Sequence, residues 1–570
     1  MKFKYTTQII ILLIFSSKIL LSQYSSGTAK CKLSVNNVCV SIQNNGNIWD
    51  NSSDSGSYAY PNIVGADTSN KTIIFSGGTF MSALDSLGGI HVAASVYYHH
   101  DYTTGPLDSD GMISDLVSRL WDRIFECSQS DVNDYTFLKF STGLPVPISF
   151  ISPNIKEWPG RGNPYLASMG MQVDHDMAPF NDYNHDGIYN PIDGDYPCIK
   201  GDKTLFYVMN DAGDVHFSRG DKLGIELKVL SYAYHTSDFL NNTSFYEIKI
   251  LNRSENNYHD YNFGLIVDPD IGCYQDDYIG CVPSKNVGIA YNGSSIDYGC
   301  NSRISYGENP PILGVCMLRT PNNLSGLPMG MTSFGYYNNS AAKNGDLRNF
   351  YDYWNRSHGL WNDGSAVTRG GDGTTGIDAT VFAYDGDPSD TSQWSECHNQ
   401  TTGSNIVSDR RFLMTSGPYN LDKNEALEFD YAVIIKNTLA GQMPCPDYNT
   451  TIIPLVDSVQ YFYDFIQETC NRSVMLSVQE ASLTSSNILS VYPNPASDQI
   501  FNISANAFEN GEAYVAIIDL NGKELLRKVV QLNNHTATMS LDEIQLSKGL
   551  YLLQVRQGTQ QLHAKLVIED

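Results

Sequence analysis

Leu223-Gly224-Ile225-Glu226-Leu227-Lys228-Val229-Leu230 and Ser244-Phe245-Tyr246-Glu247-Ile248-Lys249-Ile250-Leu251 alternate apolar and polar residues with a period of two. Successive side chains of an extended chain point to opposite faces, so this period is the mark of strands. Leu205-Phe206-Tyr207-Val208-Met209 before them and Phe263-Gly264-Leu265-Ile266-Val267 after them read the same way, with polar turns between. Consecutive strands of this kind predict an antiparallel sheet with one wet face. The fold class that follows is mostly β, a large antiparallel sheet or sandwich. One helix stands out, from Leu455 to Glu468, with Leu455, Val459, Phe462 and Ile466 on one side; it is expected to close the large unit as a lid.

Composition agrees. Of 570 residues, 41% are hydrophobic and 17% charged, which is enough apolar material for a large β unit and a smaller second one. Gly, Asn, Ser, Thr and Tyr abound, a mix that favours strands and turns over helices. The net charge is -26, from 36 Lys+Arg against 62 Asp+Glu. A surface this acidic repels phosphate backbones and anionic lipid, so it argues against nucleic-acid and membrane-surface partners, while it draws divalent cations.

Both termini carry addresses. Lys2 and Lys4 precede the apolar run Ile9 to Phe15, and Ser22-Gln23 marks a cleavage point; Ser16, Ser17 and Lys18 break the run before it could span a bilayer. Residues 1–22 therefore read as a secretory signal peptide. At the other end, Tyr492-Pro493-Asn494-Pro495 opens a new unit, since two prolines in four residues continue neither a helix nor a central strand. Ile518-Asp519-Leu520-Asn521-Gly522, Lys548-Gly549-Leu550-Tyr551 and Lys565-Leu566-Val567-Ile568 follow, amid short alternating strands that predict a small Ig-like β-sandwich. These four blocks in order resemble the type A C-terminal sorting domain of the type IX secretion system of Bacteroidetes. The resemblance implies passage through the outer membrane with the secretion machinery as partner, then release or attachment at the cell surface. The expected organisation is a signal peptide at 1–22, a mostly-β passenger at 23–469, a linker at 470–487 and the sorting domain at 488–570.

Within the passenger, Asp182-Tyr183-Asn184-His185-Asp186-Gly187-Ile188-Tyr189-Asn190-Pro191-Ile192-Asp193 has the oxygen spacing of an EF-hand-like loop. Asp182, Asn184, Asp186, the Ile188 carbonyl, Asn190 and Asp193 are the candidate ligands of a structural Ca2+ ion. A hard cation takes six to eight oxygens, and alternate side chains of such a loop turn inward. Asp193 stands where a longer Glu is usual, amphipathic helices do not flank the loop, and Pro191 lies inside it, so the pattern fits a rigid clip better than a sensor. A second acidic stretch, Asp268-Pro269-Asp270 through Asp276-Asp277, is a further cation candidate, because carboxylates so close repel unless a cation sits among them. Read alternatively, two such carboxylates could serve glycoside hydrolysis.

Eleven cysteines in an exported chain suggest disulfides. Cys31 with Cys39 and Cys273 with Cys281 enclose the shortest loops and are the expected pairs. GxSxG, HExxH and Walker A patterns do not occur, and Gly370-Gly371-Asp372-Gly373 reads as a flexible turn without a phosphate-binding helix after it. His99-His100-Asp101 and Asp174-His175-Asp176 are weaker metal candidates, and Trp354 and Trp361 are the aromatics expected to be exposed for stacking on sugars. Blocks such as Gly77-Gly78-Thr79-Phe80, Trp158-Pro159-Gly160-Arg161-Gly162-Asn163-Pro164 and Asp409-Arg410-Arg411-Phe412 resemble a recurring passenger type of Bacteroidetes proteins with this sorting signal. The resemblance implies one continuous passenger and no particular reaction. The expected function is a secreted or surface, calcium-stabilised, non-catalytic binding or adhesive module with an extracellular glycan or surface ligand. The alternative is a secreted hydrolase acting on polysaccharide through acidic loop residues.

Overall fold

The computed structural model describes residues 27–49, 58–62, 71–97, 99–142, 146–213, 216–301, 303–398 and 409–466, and most of 489–568 in short stretches. The expected signal peptide and linker lie outside these residues. Strand accounts for 42% of the structure and helix for 13%, so the mostly-β expectation holds.

The passenger is built on two antiparallel sheets. In the first, the long strands Thr72–Leu84, Tyr258–Pro269 and Arg410–Leu421 lie side by side, with Ser333–Asn338 beyond the last. In the second, the order runs Asp277–Val282, Val287–Asn292, Ile312–Arg319, Ala426–Lys436, Thr243–Asn252, Ile225–Ala233 and Lys203–Asn210. The four stretches that decided the reading are thus all strands. Three are neighbours in the second sheet, and Phe263–Val267 sits in the middle of the first.

The two sheets face each other across one apolar core. Phe263, Leu265, Val267, Phe412 and Met414 from the first meet Tyr207, Leu227, Val229, Tyr246, Ile248, Tyr431 and Val433 from the second. Phe263 stacks on Phe429 with ring centres 4.4 Å apart. Trp49 fills the seam: its indole meets Tyr58, Tyr246 and Tyr431 edge-on at 6.1, 5.8 and 6.4 Å, and its N–H donates to the Tyr246 hydroxyl at 2.9 Å. Gly77 makes room for that ring, since a Cβ there would stand 2.3 Å from it.

The expected wet face is a correction. Glu226 and Lys228, the polar alternates of the Ile225–Ala233 strand, are buried. The segment between residues 105 and 190 lies over them: Leu107 N–H donates to Glu226 at 2.9 Å, His175 meets it at 3.1 Å, and Lys228 Nζ stands 3.4 Å away. Burial would raise the Glu226 carboxyl, but His175, Lys228 and Arg253 outweigh it and hold it below its usual range. Alternation therefore marked strands correctly, yet on this strand both faces are covered, while Lys249 on the neighbouring strand stays partly exposed.

Helices supply part of that cover. Ile453–Tyr461, continued by a π-turn at Phe462–Ile466, lays Val456, Val459 and Phe462 against Phe245, Ala432 and Ile434 on the outside of the second sheet. This is the expected closing helix, beginning two residues early. Tyr353 of the Phe350–Ser357 helix packs on Phe80, Ile266 and Leu413 outside the first sheet. The Gln129–Thr142 helix covers Phe206 and Val208 with Val132 and Tyr135.

The disulfides also differ from expectation. Cys273 bonds to Cys300 and Cys397 to Cys445. Cys31 and Cys39 do not form a disulfide, and neither does Cys281. Cys281 points into the core from a strand, whereas Cys273 sits on the turn before it. The short loop between them cannot bring those two directions together.

The C-terminal unit is a small sandwich, as expected. Leu489–Tyr492, Ile500–Ala505 and Thr536–Ser540 form one sheet; Glu524–Leu532, Gly511–Ile518, Gly549–Gln557 and Gln560–Ile568 form the other. Phe501, Ile503, Val515, Ile517, Leu553, Val555 and Leu566 fill the space between. Two of the quoted blocks meet here: Asn494 Oδ1 accepts from Val567 N–H at 2.7 Å, and Ala496 N–H donates to the Val567 carbonyl at 2.8 Å. The Asp519–Gly522 turn lies outside the described residues.

Trp49→Ala removes the largest side chain of the seam and strands three tyrosines around a void. Urea unfolding of this variant should give a loss of about 3–5 kcal/mol.

Candidate metal centre

The loop at 182–193 is shaped by its own oxygens. Asp182 Oδ2 accepts from Gly187 N–H at 2.8 Å, Asn184 Oδ1 from Asp186 N–H at 3.2 Å and Asp186 Oδ1 from Ile188 N–H at 2.8 Å. Gly187 takes φ +75°, the left-handed turn its position requires. Asn190 Nδ2 donates to Asp193 Oδ2 at 2.6 Å. Asn184, Asp186, Ile188 and Asp193 are exposed, while Asp182 and Asn190 are half-buried. Asp182 Oδ1 is buried and accepts no hydrogen bond. An anionic oxygen left in that state is costly, and a cation would relieve it.

Sequence reading missed Asp195, two residues past the loop. It is fully buried, and its two oxygens accept from Tyr183 N–H and Asn190 N–H, both at 2.8 Å. It thereby ties the first turn of the loop to the last. Burial, with Asp182 and Asp186 adding, pushes its carboxyl up to about 6. The signal was present as Asp193-Gly194-Asp195, where Gly194 takes φ +125° and lets the chain turn the second aspartate inward.

The loop is anchored on both sides. Tyr189 is buried in the cluster under the Gln129–Thr142 helix, and its hydroxyl donates to the Ile155 carbonyl. From that helix, Tyr135 donates to the Pro191 carbonyl at 2.5 Å and Lys139 Nζ to the Asp193 carbonyl at 3.2 Å. Lys139 also lies 5.7 Å from the centre of the Tyr183 ring. These contacts hold the loop as a rigid part of the passenger.

The second acidic stretch is split by the fold. Asp268 and Asp270 close on Asp409, with one oxygen of each inside a 4.8 Å sphere of mutual distance. Asp277 instead turns back to accept from Ile271 N–H at 2.8 Å. Among the described residues one further group has metal-ligand spacing, His398 beside the bonded Cys397 and Cys445.

The histidine candidates do not gather. His100 hydrogen-bonds Ser95 at 2.9 Å and Asn45 at 3.2 Å, while His99 stacks on Phe217 at 3.5 Å. His175 bridges Asp174 and Glu226. Ser357, His358 and Asp260 do come together, with Ser357 Oγ 3.1 Å from His358 Nδ1 and both Asp260 oxygens 3.1 Å from Nε2. However, Nδ1 also faces the Trp354 carbonyl at 2.7 Å. A carbonyl only accepts, so Nδ1 carries the hydrogen and cannot take a proton from the serine.

Trp361, expected to be exposed, is fully buried, and Trp354 is half-buried. Trp361 donates to the Gly373 carbonyl at 3.0 Å and Trp394 to the Gly371 carbonyl at 3.1 Å. The glycine-rich turn at 370–373 is thus pinned by two indoles. An open, mostly apolar depression of about 440 Å³ is lined by Leu360, Ala366, Ala379 and Val381.

Comparison with known proteins bears on the C-terminal unit. Residues 490–569 match the family described as the secretion system C-terminal sorting domain. The chain therefore carries a type IX sorting domain at this end, and the protein is secreted or displayed at the cell surface. Among the described residues, no helix is long and apolar enough to cross a membrane. Curated proteins give no match. Among solved structures, a polysaccharide lyase is 8% identical, covers 60% of this chain and 34% of its own, and has a TM-score of 0.17. Dimeric latent PorU from Porphyromonas gingivalis is 12% identical, with 64% and 31% covered and a TM-score of 0.13. The chain spans about a third of the length of each. Likenesses this slight carry neither fold nor function to the passenger.

Asp430 offers a test of the buried charges. It accepts from Arg319 Nε at 2.7 Å and from the Tyr463 hydroxyl. Burial, reinforced by Glu247 and opposed by Arg319, pushes its carboxyl up to about 6. A raised carboxyl pKa means the folded state holds the proton more tightly, so its contribution is full below the ordinary value of about 4 and is lost as pH rises through about 6. Asp430→Asn, a neutral isostere, should flatten that part of the fall in urea-unfolding free energy between about pH 4 and 6.

Proposed function

We propose that the passenger is a calcium-stabilised, non-catalytic binding module that the sorting domain delivers to the outside of the cell. The observation that carries the calcium part is the buried Asp182 oxygen without a donor, inside a loop whose other oxygens already shape the turn. Asp182, Asn184, Asp186, Asn190 and Asp193 would hold the ion, with the Ile188 carbonyl. Asp195 would position the loop from beneath. All are oxygen donors, which suits a hard cation of the calcium class. The N-terminal leader would begin the export route and the secretion machinery would complete it.

The binding role is supported by how the polar groups are used. His175 ties its loop to Glu226 and His358 ties the end of its helix to Asp260, Trp361 and Trp394 tie loops to the turn at 370–373, and the aspartates of the loop hold backbone amides. Such a frame presents fixed loops to a partner, and an acidic, calcium-bearing surface suits hydroxyl-rich glycans. The hydrolase reading needs two opposed carboxylates in a cleft with a free proton path. Asp268, Asp270 and Asp277 of the acidic stretch are buried instead of facing an open cleft.

Removal of calcium should lower the melting temperature, and Asp186→Asn should abolish the loop's share of that shift. At a calcium level a hundredfold above Kd, linkage adds about 2.7 kcal/mol, a shift readily seen by calorimetry. An unchanged melting temperature on chelation would refute the clip. On a glycan array, the purified protein should bind a defined set of glycans, more strongly with calcium than with chelator. Turnover of any arrayed glycan would favour the hydrolase instead.

A further inference from the structure

We propose that Asp268, Asp270 and Asp409 form a second hard-cation site, independent of the 182–193 loop, that staples the ends of the two central strands of the first sheet. Asp268 ends the Tyr258–Pro269 strand, Asp270 follows it, and Asp409 immediately precedes Arg410–Leu421. The two strands are antiparallel partners, with Val267 opposite Phe412, so residues about 140 positions apart arrive at one end together. One oxygen from each carboxylate lies within 4.8 Å of the others. Calcium–oxygen distances are about 2.3–2.6 Å, so oxygens around one ion can be no more than roughly 5 Å apart, and this group fits.

The hydrogen bonding leaves oxygens unclaimed at the convergence. Asp268 is 2% exposed, and its Oδ1 accepts no hydrogen bond. Arg411 Nε stands 3.3 Å from that oxygen, but its single hydrogen goes to the Tyr97 hydroxyl at 2.6 Å. Tyr97 in turn donates to the other oxygen, Asp268 Oδ2, at 2.7 Å. Arg411 also donates from Nη1 to Asn339 Oδ1 at 2.5 Å and from Nη2 to Asp409 Oδ2 at 2.7 Å. Asp409 Oδ2 also accepts from Asn339 Nδ2 at 2.8 Å, while its Oδ1 is buried and accepts nothing. Asp270 Oδ2 lies 3.3 Å from Arg303 Nη2. Thus Asp268 Oδ1 and Asp409 Oδ1 are buried acceptors that receive no hydrogen bond in this arrangement.

Charge balance points the same way. Asp277, 1% exposed and also carrying an Oδ1 without a hydrogen bond, lies close enough to Asp270 for the two to repel. Asp268, Asp270 and Asp409 face two guanidiniums, Arg303 and Arg411, so the cluster carries more negative charge than its arginines neutralise, and a divalent ion relieves the excess. The donors are all oxygens, which selects calcium over thiophilic metals.

Equilibrium dialysis of the purified full chain against Ca2+ separates this site from the loop. In Asp186→Asn, which disables the loop, one Ca2+ per chain should remain bound. In the double variant Asp186→Asn/Asp409→Asn that ion should be lost, with far-UV circular dichroism confirming the fold. Asp270→Asn in the same background serves if the Asp409 variant fails to fold. If Asp186→Asn binds no calcium, or if folded Asp409→Asn and Asp270→Asn variants retain the residual ion, the proposal is overturned. If instead Asp186→Asn binds as much as the parent and Asp409→Asn loses one ion, this site stands and the loop reading fails.

Discussion

The seam between the two sheets is closed by aromatic side chains, and the rest of the passenger is arranged around that closure. Trp49 stands between Tyr58, Tyr246 and Tyr431, and Phe263 lies flat on Phe429. Large rings bring much apolar area per residue, which suits a chain with few long aliphatic runs. They also demand space on the facing backbone. The adjacent glycines 77 and 78 provide it, one beside the indole and the other against the Ser95 carbonyl, where a Cβ would stand 2.1 Å away. The core thus sets the strand sequence in two ways, through the residues it buries and through the residues it cannot admit.

Where the outer faces of the sheets are covered as well, the polar alternates of the strands had to be satisfied within the protein. Glu226 shows how: one backbone amide, one imidazole and an ammonium surround it. Arg319 pairs with Asp430 and Glu428, although Asp430 Oδ1 stays without a hydrogen bond. In an acid-rich chain the supply of such cationic partners is limited. Asp268, Asp270 and Asp409 lie where two arginines are shared among more carboxylates than they can neutralise. The contrast between these settings is one of stoichiometry: the same kind of buried acid is complete in one place and short of positive charge in another.

What could be read from the sequence follows from how local each signal is. The strands at 223–230 and 244–251 were legible because alternation is a property of neighbours. The covering of their outer face was not, since Leu107 and His175 come from distant segments. The Gln129–Thr142 helix escaped notice because Phe137, 76% exposed, sits on its solvent side and blurs the apolar stripe made by Val132 and Tyr135. The loop at 182–193 was legible as spacing, but Asp195 was not, because its role depends on a turn at Gly194. Loop length favoured Cys281 as the partner of Cys273, whereas the direction of the strand gave that place to Cys300. Asp409 stood out only within the Asp409-Arg410-Arg411-Phe412 block, with nothing local to link it to Asp268.

The two carboxylate sites therefore relate differently to folding. The loop draws its oxygens from twelve consecutive residues, so a nascent turn can already offer several of them, and cation binding there adds little to long-range order beyond the contacts of Tyr135, Tyr189 and Lys139. The Asp268, Asp270 and Asp409 group exists only once two long strands have paired in register. Binding free energy at a site that is absent from the unfolded chain is folding free energy. A cation held there would act on the slowest kind of contact to form, a non-local strand pair, and would stabilise it only after pairing is complete. For a protein bound for the cell exterior, this places the staple at the end of folding and the loop near its beginning.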